Sequence, residues 1–289
     1  MNLRLGLMIS GLAAATMLAV GLELETRRIP EVIRRKVPLL GLLLGQLLLL
    51  PALAIALVRL VPMPEGTKFV VLILAACPTG NIANFFTLLA RGDLALTLVA
   101  SAISCLLAPV VMPVTFAIYR LVLGTGVPFL IPSGTLLLRI FALTWAPIFL
   151  GLALRSMRSN KVARFSAGLR HACAAGTVAL CVFICITRAD RLTTDWKTNI
   201  TVSATLVLAA LAGAAGVACG LRLPTGDAVS YVTSYPARHI GVFAAVMVTA
   251  TRQLDDLVFV LVYFVVEIAI ILTVVGAYRW RESVEAISS

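Results

Sequence analysis

Pro78-Thr79-Gly80-Asn81-Ile82-Ala83-Asn84-Phe85 and Pro236-Ala237-Arg238-His239-Ile240-Gly241-Val242-Phe243 each interrupt an otherwise apolar stretch near its middle. Aligned without gaps, Pro, Ile and Phe coincide, Asn81 faces His239, and Ala83 faces Gly241. A proline removes one backbone donor and frees a carbonyl. Within a bilayer, unwound backbone survives only where it is buried in protein or lines a cavity. One such segment alone would read as an ordinary proline kink. A matched pair carrying polar residues predicts two helices broken at mid-membrane, their half-helix ends aimed at a common point.

The rest of the chain fits that reading. Of its 289 residues 61% are hydrophobic and only 13% charged, and the mean hydropathy is +1.04. A soluble domain of this size covers its core with about a quarter charged residues, so this one needs lipid as its solvent. The apolar segments lack the alternation of barrel strands and reach the roughly 20 residues that a spanning helix needs. Nine spans can be drawn, at about Leu3–Leu24, Val37–Leu60, Thr67–Leu89, Leu94–Leu123, Phe129–Met157, Ala163–Ile186, Thr198–Leu221, Asp227–Thr249 and Leu257–Trp280. The first is too long for a signal peptide, and Glu23-Leu24-Glu25-Thr26-Arg27-Arg28 follows it instead of a small-residue cleavage site. The two broken spans are the third and the eighth. They cross in opposite directions and pair spans one to four (about 3–123) with spans six to nine (about 163–280) as an inverted repeat. Span five (about 129–157) is the connector. The expectation is one all-α polytopic transmembrane domain over residues 1–289.

Charge supports the same count. The net charge of +11 would suit nucleic acid, but the basic residues cluster in short loops, as membrane topology requires. With nine spans, thirteen Lys and Arg fall on one side and eight on the other. The richer set includes Arg27, Arg28, Arg34, Arg35, Lys36, Arg155, Arg158, Lys161 and Arg164. That bias puts the C-terminus in the cytoplasm and the N-terminus outside, in a cell (inner) membrane. The six cysteines lie within apolar runs without ligand spacing and read as helix-packing residues.

The stretch Cys77-Pro78-Thr79-Gly80-Asn81-Ile82-Ala83-Asn84, continued by Leu89-Ala90-Arg91-Gly92-Asp93-Leu94-Ala95-Leu96-Thr97, Ser101 and Leu107-Ala108-Pro109 to Pro113, resembles the bile acid:sodium symporter family. Gln46 followed by Pro51, and Val20-Gly21-Leu22-Glu23-Leu24, resemble two further family segments. The resemblance covers essentially the whole chain, more loosely in the second half. It implies a core bundle around the crossed broken helices and a panel of the remaining helices that rocks against it. The family's sodium sites would map onto Gln46, Ala83, Asn84, Thr97, Ser101, Ser234, Tyr235, Ala237 and Arg238. Three of these depart from its pattern: Ala83 replaces a serine, Ser234 a glutamate and Arg238 a glutamine. Two oxygen ligands are removed and a fixed cation is introduced, which repels sodium electrostatically. Sodium could still be held by Gln46, Asn84, Thr97, Ser101 and Ser234 if the sites survive.

The candidate solute- or ion-binding residues are Gln46, Thr79, Asn81, Asn84, Thr97, Ser101, Ser234, Arg238, His239 and Glu267. An arginine at mid-bilayer costs roughly 2.5–3.5 kcal/mol on insertion scales, so Arg238 is expected to face a cavity or a partner. Three roles compete for it: a permanent stand-in for sodium that holds the crossover together through Gln46, Asn84 or backbone carbonyls, an anchor for an anionic solute, or a structural salt bridge with Glu267. Glu267 itself, and His239 beside the break, are titratable groups suited to proton coupling. His239 reads equally as a hydrogen-bonded core histidine. His171 reads as structural. Thr97 and Ser101 share a helix face at i, i+4.

Two histidines and the lack of HExxH, paired intramembrane aspartates or GxSxG leave little to run an enzyme's chemistry. The expected function is a secondary transporter moving a small organic anion, bile-acid-like or smaller, by alternating access. Proton-coupled or uncoupled facilitation of organic solutes is the alternative, and a non-transporting receptor or structural relative is the third reading. No cofactor is expected beyond sodium or proton coupling, and the expected partners are the solute and the lipid bilayer.

Overall fold

A computed structural model describes residues 3–24, 29–124, 134–157, 159–190, 196–250 and 256–288. Side chains at 3–5, 134–137, 139–140, 248–250, 256 and 281–288 are excepted. Arg27, Arg28, Arg158, Arg191, Arg252 and the expected start of the connector at Phe129 lie outside the described residues. What is described is helical, with a single isolated β-bridge and no strand.

Among the described residues, six helices are long and apolar enough to cross a membrane. They are α1 (Leu3–Glu23), α3 (Lys36–Leu60), α6 (Leu94–Leu123), α8 (Asn160–Thr187), α9 (Trp196–Gly220) and α12 (Asp256–Ser288). A short α2 (Ile29–Arg34) precedes α3, and α7 (Gly134–Ser156) carries an apolar stretch over Phe141–Ser156. Large apolar side chains such as Leu60, Phe85, Leu121, Phe149, Ile186 and Val265 are exposed around the outside. A surface that apolar belongs in lipid. The chain is an integral membrane protein.

The third and eighth expected spans are not continuous helices. The first is split into α4 (Glu65–Ala76) and α5 (Ile82–Leu89), the second into α10 (Thr225–Ser234) and α11 (Ile240–Ala250). Each begins directly after a proline, Pro64 and Pro224, in the extended conformation that caps a helix start. Each breaks at the proline picked out in the sequence, Pro78 and Pro236. The broken segments cross as an antiparallel bridge between Thr79 and Arg238. The Gly80 N–H donates to the Ala237 carbonyl at 3.1 Å and the His239 N–H to the Pro78 carbonyl at 3.0 Å. Backbone groups freed by the prolines therefore satisfy one another, as buried polar groups must. Gly80 makes the approach feasible, because a Cβ there would lie 2.6 Å from the Arg238 carbonyl oxygen.

Around the crossover, α3, α6, α9 and α12 pack on the broken pairs. Midway along α3, Gly45–Leu49 forms a π-helical turn. Such turns place side chains irregularly and often mark functional sites. On the other side α1 packs along α7 through a glycine contact: a Cβ on Gly21 would sit 2.3 Å from the Ile148 carbonyl, and one on Gly151 would sit 2.5 Å from that of Leu18. Small residues of this kind let membrane helices approach closely.

Candidate functional site

The two breaks share α3 as a neighbour and are otherwise held by different helices. At the first, the Thr79 N–H donates to Ser104 Oγ of α6 at 2.9 Å, and the Thr79 hydroxyl donates to Gln46 Oε1 at 2.7 Å. Gln46 sits in the π-turn of α3, so that turn aims it at the crossover. At the second, the Tyr263 hydroxyl of α12 donates to the Pro236 carbonyl at 2.6 Å. Tyr231 and Tyr235 stack with ring centroids 5.6 Å apart and donate to the Pro38 and Gly41 carbonyls of α3, at 2.6 and 3.0 Å.

Arg238 lies inside the crossover and is only 2% exposed. Its Nη1 donates to the Cys77 carbonyl at 2.9 Å and its Nη2 to the Tyr235 carbonyl. Cys77 caps the C-terminus of α4 and Tyr235 that of α10. A helix C-terminus carries a partial negative charge on unpaired carbonyls. One guanidinium thus neutralises both half-helix ends. Glu267, 1% exposed, is within electrostatic reach of Arg238, yet no ion pair within 4.0 Å joins them. The direct salt bridge expected as one of three roles is replaced by backbone carbonyls.

A second polar group runs beside the crossover. The hydroxyls of Thr87 (α5), Thr97 (α6) and Thr233 (α10) form a cluster, with Thr87 3.2 Å from Thr97 and 2.6 Å from Thr233. The same three helices also carry Asn84 (α5), Ser101 (α6) and Ser234 (α10). Asn84 Oδ1, Ser101 Oγ and Ser234 Oγ are buried without a hydrogen-bond partner, as is Gln46 Nε2. Unsatisfied buried groups are rare in folded proteins and point to something that pairs with them in another state. Asn81 caps α5 with no side-chain capping bond. His239 is buried, its Nδ1 accepting from the Val242 N–H at 3.3 Å. His171 is exposed on α8.

Three features carried no sequence signal that was used. Thr16 of α1 comes within 3.3 Å of the position a Gly241 Cβ would take, bringing the first helix against the second break. Ser203 of α9 is buried and unpartnered. At the end of the bundle where α3, α6 and α10 begin, Arg35 bridges Asp93 and Asp227, each at 2.5 Å. Asp93 caps α6 by accepting from the Leu96 N–H, and its own N–H donates to Gly226. Burial pushes the Asp93 carboxyl up, but the Leu96 N–H and the Arg35 guanidinium outweigh it and hold it below its ordinary value of 3.8.

A sodium ion needs several oxygens, preferably with negative charge among them. The three orphaned oxygens are neutral, and the carbonyls of Cys77 and Tyr235 are already taken by Arg238. No cluster of three metal-ligating side chains occurs among the described residues.

Comparison with known proteins places this arrangement. Sodium/bile acid cotransporter 4 of mouse is 32% identical over 57% of this chain and 38% of its own length. The human protein of the same name is 33% identical over 54% of this chain and 36% of its own. A Bacillus subtilis (strain 168) protein described as the uncharacterized sodium-dependent transporter YocS is 27% identical, over 57% of this chain and 50% of its own. The matched region thus spans half or less of each relative's length. These relatives are transporters rather than enzymes. Over residues 10–195 the chain matches the Sodium Bile acid symporter family, and with that match covering well over half of its length, it belongs to that family.

Proposed function

We propose that this chain is a secondary transporter that moves a small organic anion across the inner membrane by alternating access, with Arg238 standing permanently where a cation would otherwise hold the crossover together. The observation that carries the reading is the placement of one buried guanidinium on the carbonyl ends of both half-helices. Nine spans, with the N-terminus outside, give the broken pairs opposite directions. The gap-free repeat register supports the inversion. Thr79 corresponds to Ala237 and Gly80 to Arg238, and the bridge joins Thr79 to Arg238 while Gly80 bonds Ala237.

In this reading α3 to α6 and α9 to α12 form the core, and α1, α7 and α8 the panel. The seam between them contains a small apolar pocket lined by Cys181 and Ile184 of α8, Phe243 and Ala244 of α11, and Val260 and Leu261 of α12. Opening the seam from either side would expose the crossover. The serine hydroxyls of Ser101 and Ser234 and the Gln46 amide are then free to donate to a carboxylate or sulfonate. The Arg238 charge adds long-range attraction for an anion. The solute class is a bile acid or a smaller organic acid.

Purified protein in liposomes, loaded against a panel of radiolabelled bile acids and smaller carboxylates, tests the reading. Saturable uptake above protein-free vesicles, equal in sodium and choline gradients, is the expected result. Uptake strictly requiring sodium would remove the built-in cation from the account. Protein-independent fluxes for the whole panel would remove the transporter.

A further inference from the structure

Glu267 is the buried titratable group that the crossover does not use. It lies on the inward stripe of α12 formed by Tyr263, Glu267, Ile271 and Val275, spaced four residues apart and each less than 5% exposed. One turn before it, Tyr263 bonds the second break at Pro236. One turn after it, Ile271 packs with Phe86 of α5 and with Ala90 at its C-terminus, and the nearby Ile268 packs against the same cluster with Ile82. Glu267 therefore lies between the turn of α12 that bonds the second break and the turn that packs on α5. Its Oε1 has no hydrogen-bond partner, and neither has Arg238 Nε.

The surrounding elements offer few charges. From the breaks come Arg238, His239 and Cys77. The helix α5 carries no titratable side chain, nor does Ile240–Ala250 of α11. On α4, Glu65 and Lys68 pair with each other at its far end. On α8 the nearest titratable residues to the seam are Cys181 and Cys185, and α9 holds Lys197 and Cys219 at its two ends. Arg238 is the charge that acts on Glu267, and Tyr263 is the other titratable group coupled to it. An unpaired carboxylate buried in a low-dielectric site costs several kcal/mol, which taking up a proton removes.

Resting on the transporter reading, we propose that Glu267 is a proton-binding site of the transport cycle, so that a proton accompanies the organic anion. With Glu267 ionised, Arg238 and Glu267 sum to zero. With Glu267 protonated, the pair carries one positive charge and attracts an anion. Hydronium on the side facing the open seam gives its proton to the Glu267 carboxylate, leaving water. Water on the opposite side takes it back, restoring the carboxylate. The loaded site (protonated Glu267, Arg238 and a monovalent anion) and the empty site (ionised Glu267 and Arg238) are then both neutral, which is the condition for crossing a bilayer at least electrostatic cost.

Infrared difference spectroscopy of the purified chain in bilayers, stepped in pH without any solute, tests the site by itself. A protonated-carboxyl carbonyl band that disappears as pH rises, and that is missing from Glu267→Gln, is the expected result. Glu267→Asp, which keeps the carboxyl on a shorter stem, should retain a titrating band with a displaced midpoint, and it carries the comparison if Glu267→Gln fails to fold. A band identical in wild type and Glu267→Gln overturns the proposal. So does a Glu267-dependent band that persists at every pH at which the protein stays folded, or a Glu267→Asp titration superimposable on wild type. Because no organic anion is present, these failures leave the transporter reading standing.

Discussion

The crossover has a filled side and an unfilled side. On the filled side the Arg238 guanidinium meets the carbonyl ends of α4 and α10, and nothing mobile is required to neutralise them. On the unfilled side, Asn84, Ser101 and Ser234 hold buried oxygens with no partner. Their helices are otherwise well tied together through Thr87, Thr97 and Thr233. The difference separates two jobs that one bound cation could do together: holding two broken helices against each other, and offering polar groups to a passenger. In the proposed function a covalently attached charge does the first, which leaves the second to exchangeable contacts.

The largest expected effect breaks the filled side. Arg238→Met leaves the Cys77 and Tyr235 carbonyls buried without a partner. Each buried acceptor left unsatisfied costs about 1–3 kcal/mol, and two are left here, so detergent-solubilised protein should unfold at a clearly lower temperature. A shift within experimental error would mean the guanidinium is not holding the crossover. Next comes the close approach itself. Gly80→Ala places a Cβ 2.6 Å from the Arg238 carbonyl oxygen. Overpacking of this kind costs about 1–3 kcal/mol. Equal stability of the variant and wild type by thermal unfolding would show that the backbones need not approach so closely.

On the unfilled side the sign reverses. Ser101→Ala removes a buried hydroxyl without a partner, so stability should be unchanged or raised by up to about 1 kcal/mol, while organic-anion uptake falls. A destabilised variant with normal uptake would show that Ser101 is structural. The smallest effect is expected at the Arg35 bridge, at the end of the bundle. Arg35 is 40% exposed, and exposed pairs contribute at most about 1 kcal/mol. The native Asp93 carboxyl is held below its ordinary value, so its contribution is complete above that value and disappears as pH falls through the lower, native one. Arg35→Ala should therefore lose stability at neutral pH and show a flatter decline toward acid. An acid limb identical to wild type would contradict the bridge.

The contrast also explains what could be read from the residues alone. Pro78 and Pro236 announce their breaks, because a proline among polar residues has few other uses inside an apolar span. Arg238 announces its importance through the cost of its charge. Backbone carbonyls are among the partners the sequence suggests for it, beside Gln46, Asn84 and Glu267, but which carbonyls is not legible, because a carbonyl has no letter in a sequence. The π-turn that aims Gln46 leaves no composition signal. Thr97 and Ser101, one turn apart, looked equivalent, yet Thr97 is engaged by Thr87 and the Asp93 carbonyl while Ser101 has no partner. Arg35 read as one more basic residue setting topology. Its two aspartates lie 58 and 192 positions away, and only folding brings them together.

The most direct test compares thermal unfolding of wild type and Arg238→Gln in sodium chloride and in choline chloride at matched ionic strength. A ligand that binds only the folded state raises its stability by mass action. Glutamine removes the fixed charge and supplies one amide oxygen beside two released carbonyls. The account predicts no sodium-specific shift for wild type and a clear one for Arg238→Gln. A sodium-specific rise in wild type, equal to or larger than that of the variant, would contradict the claim that Arg238 occupies the cation's place.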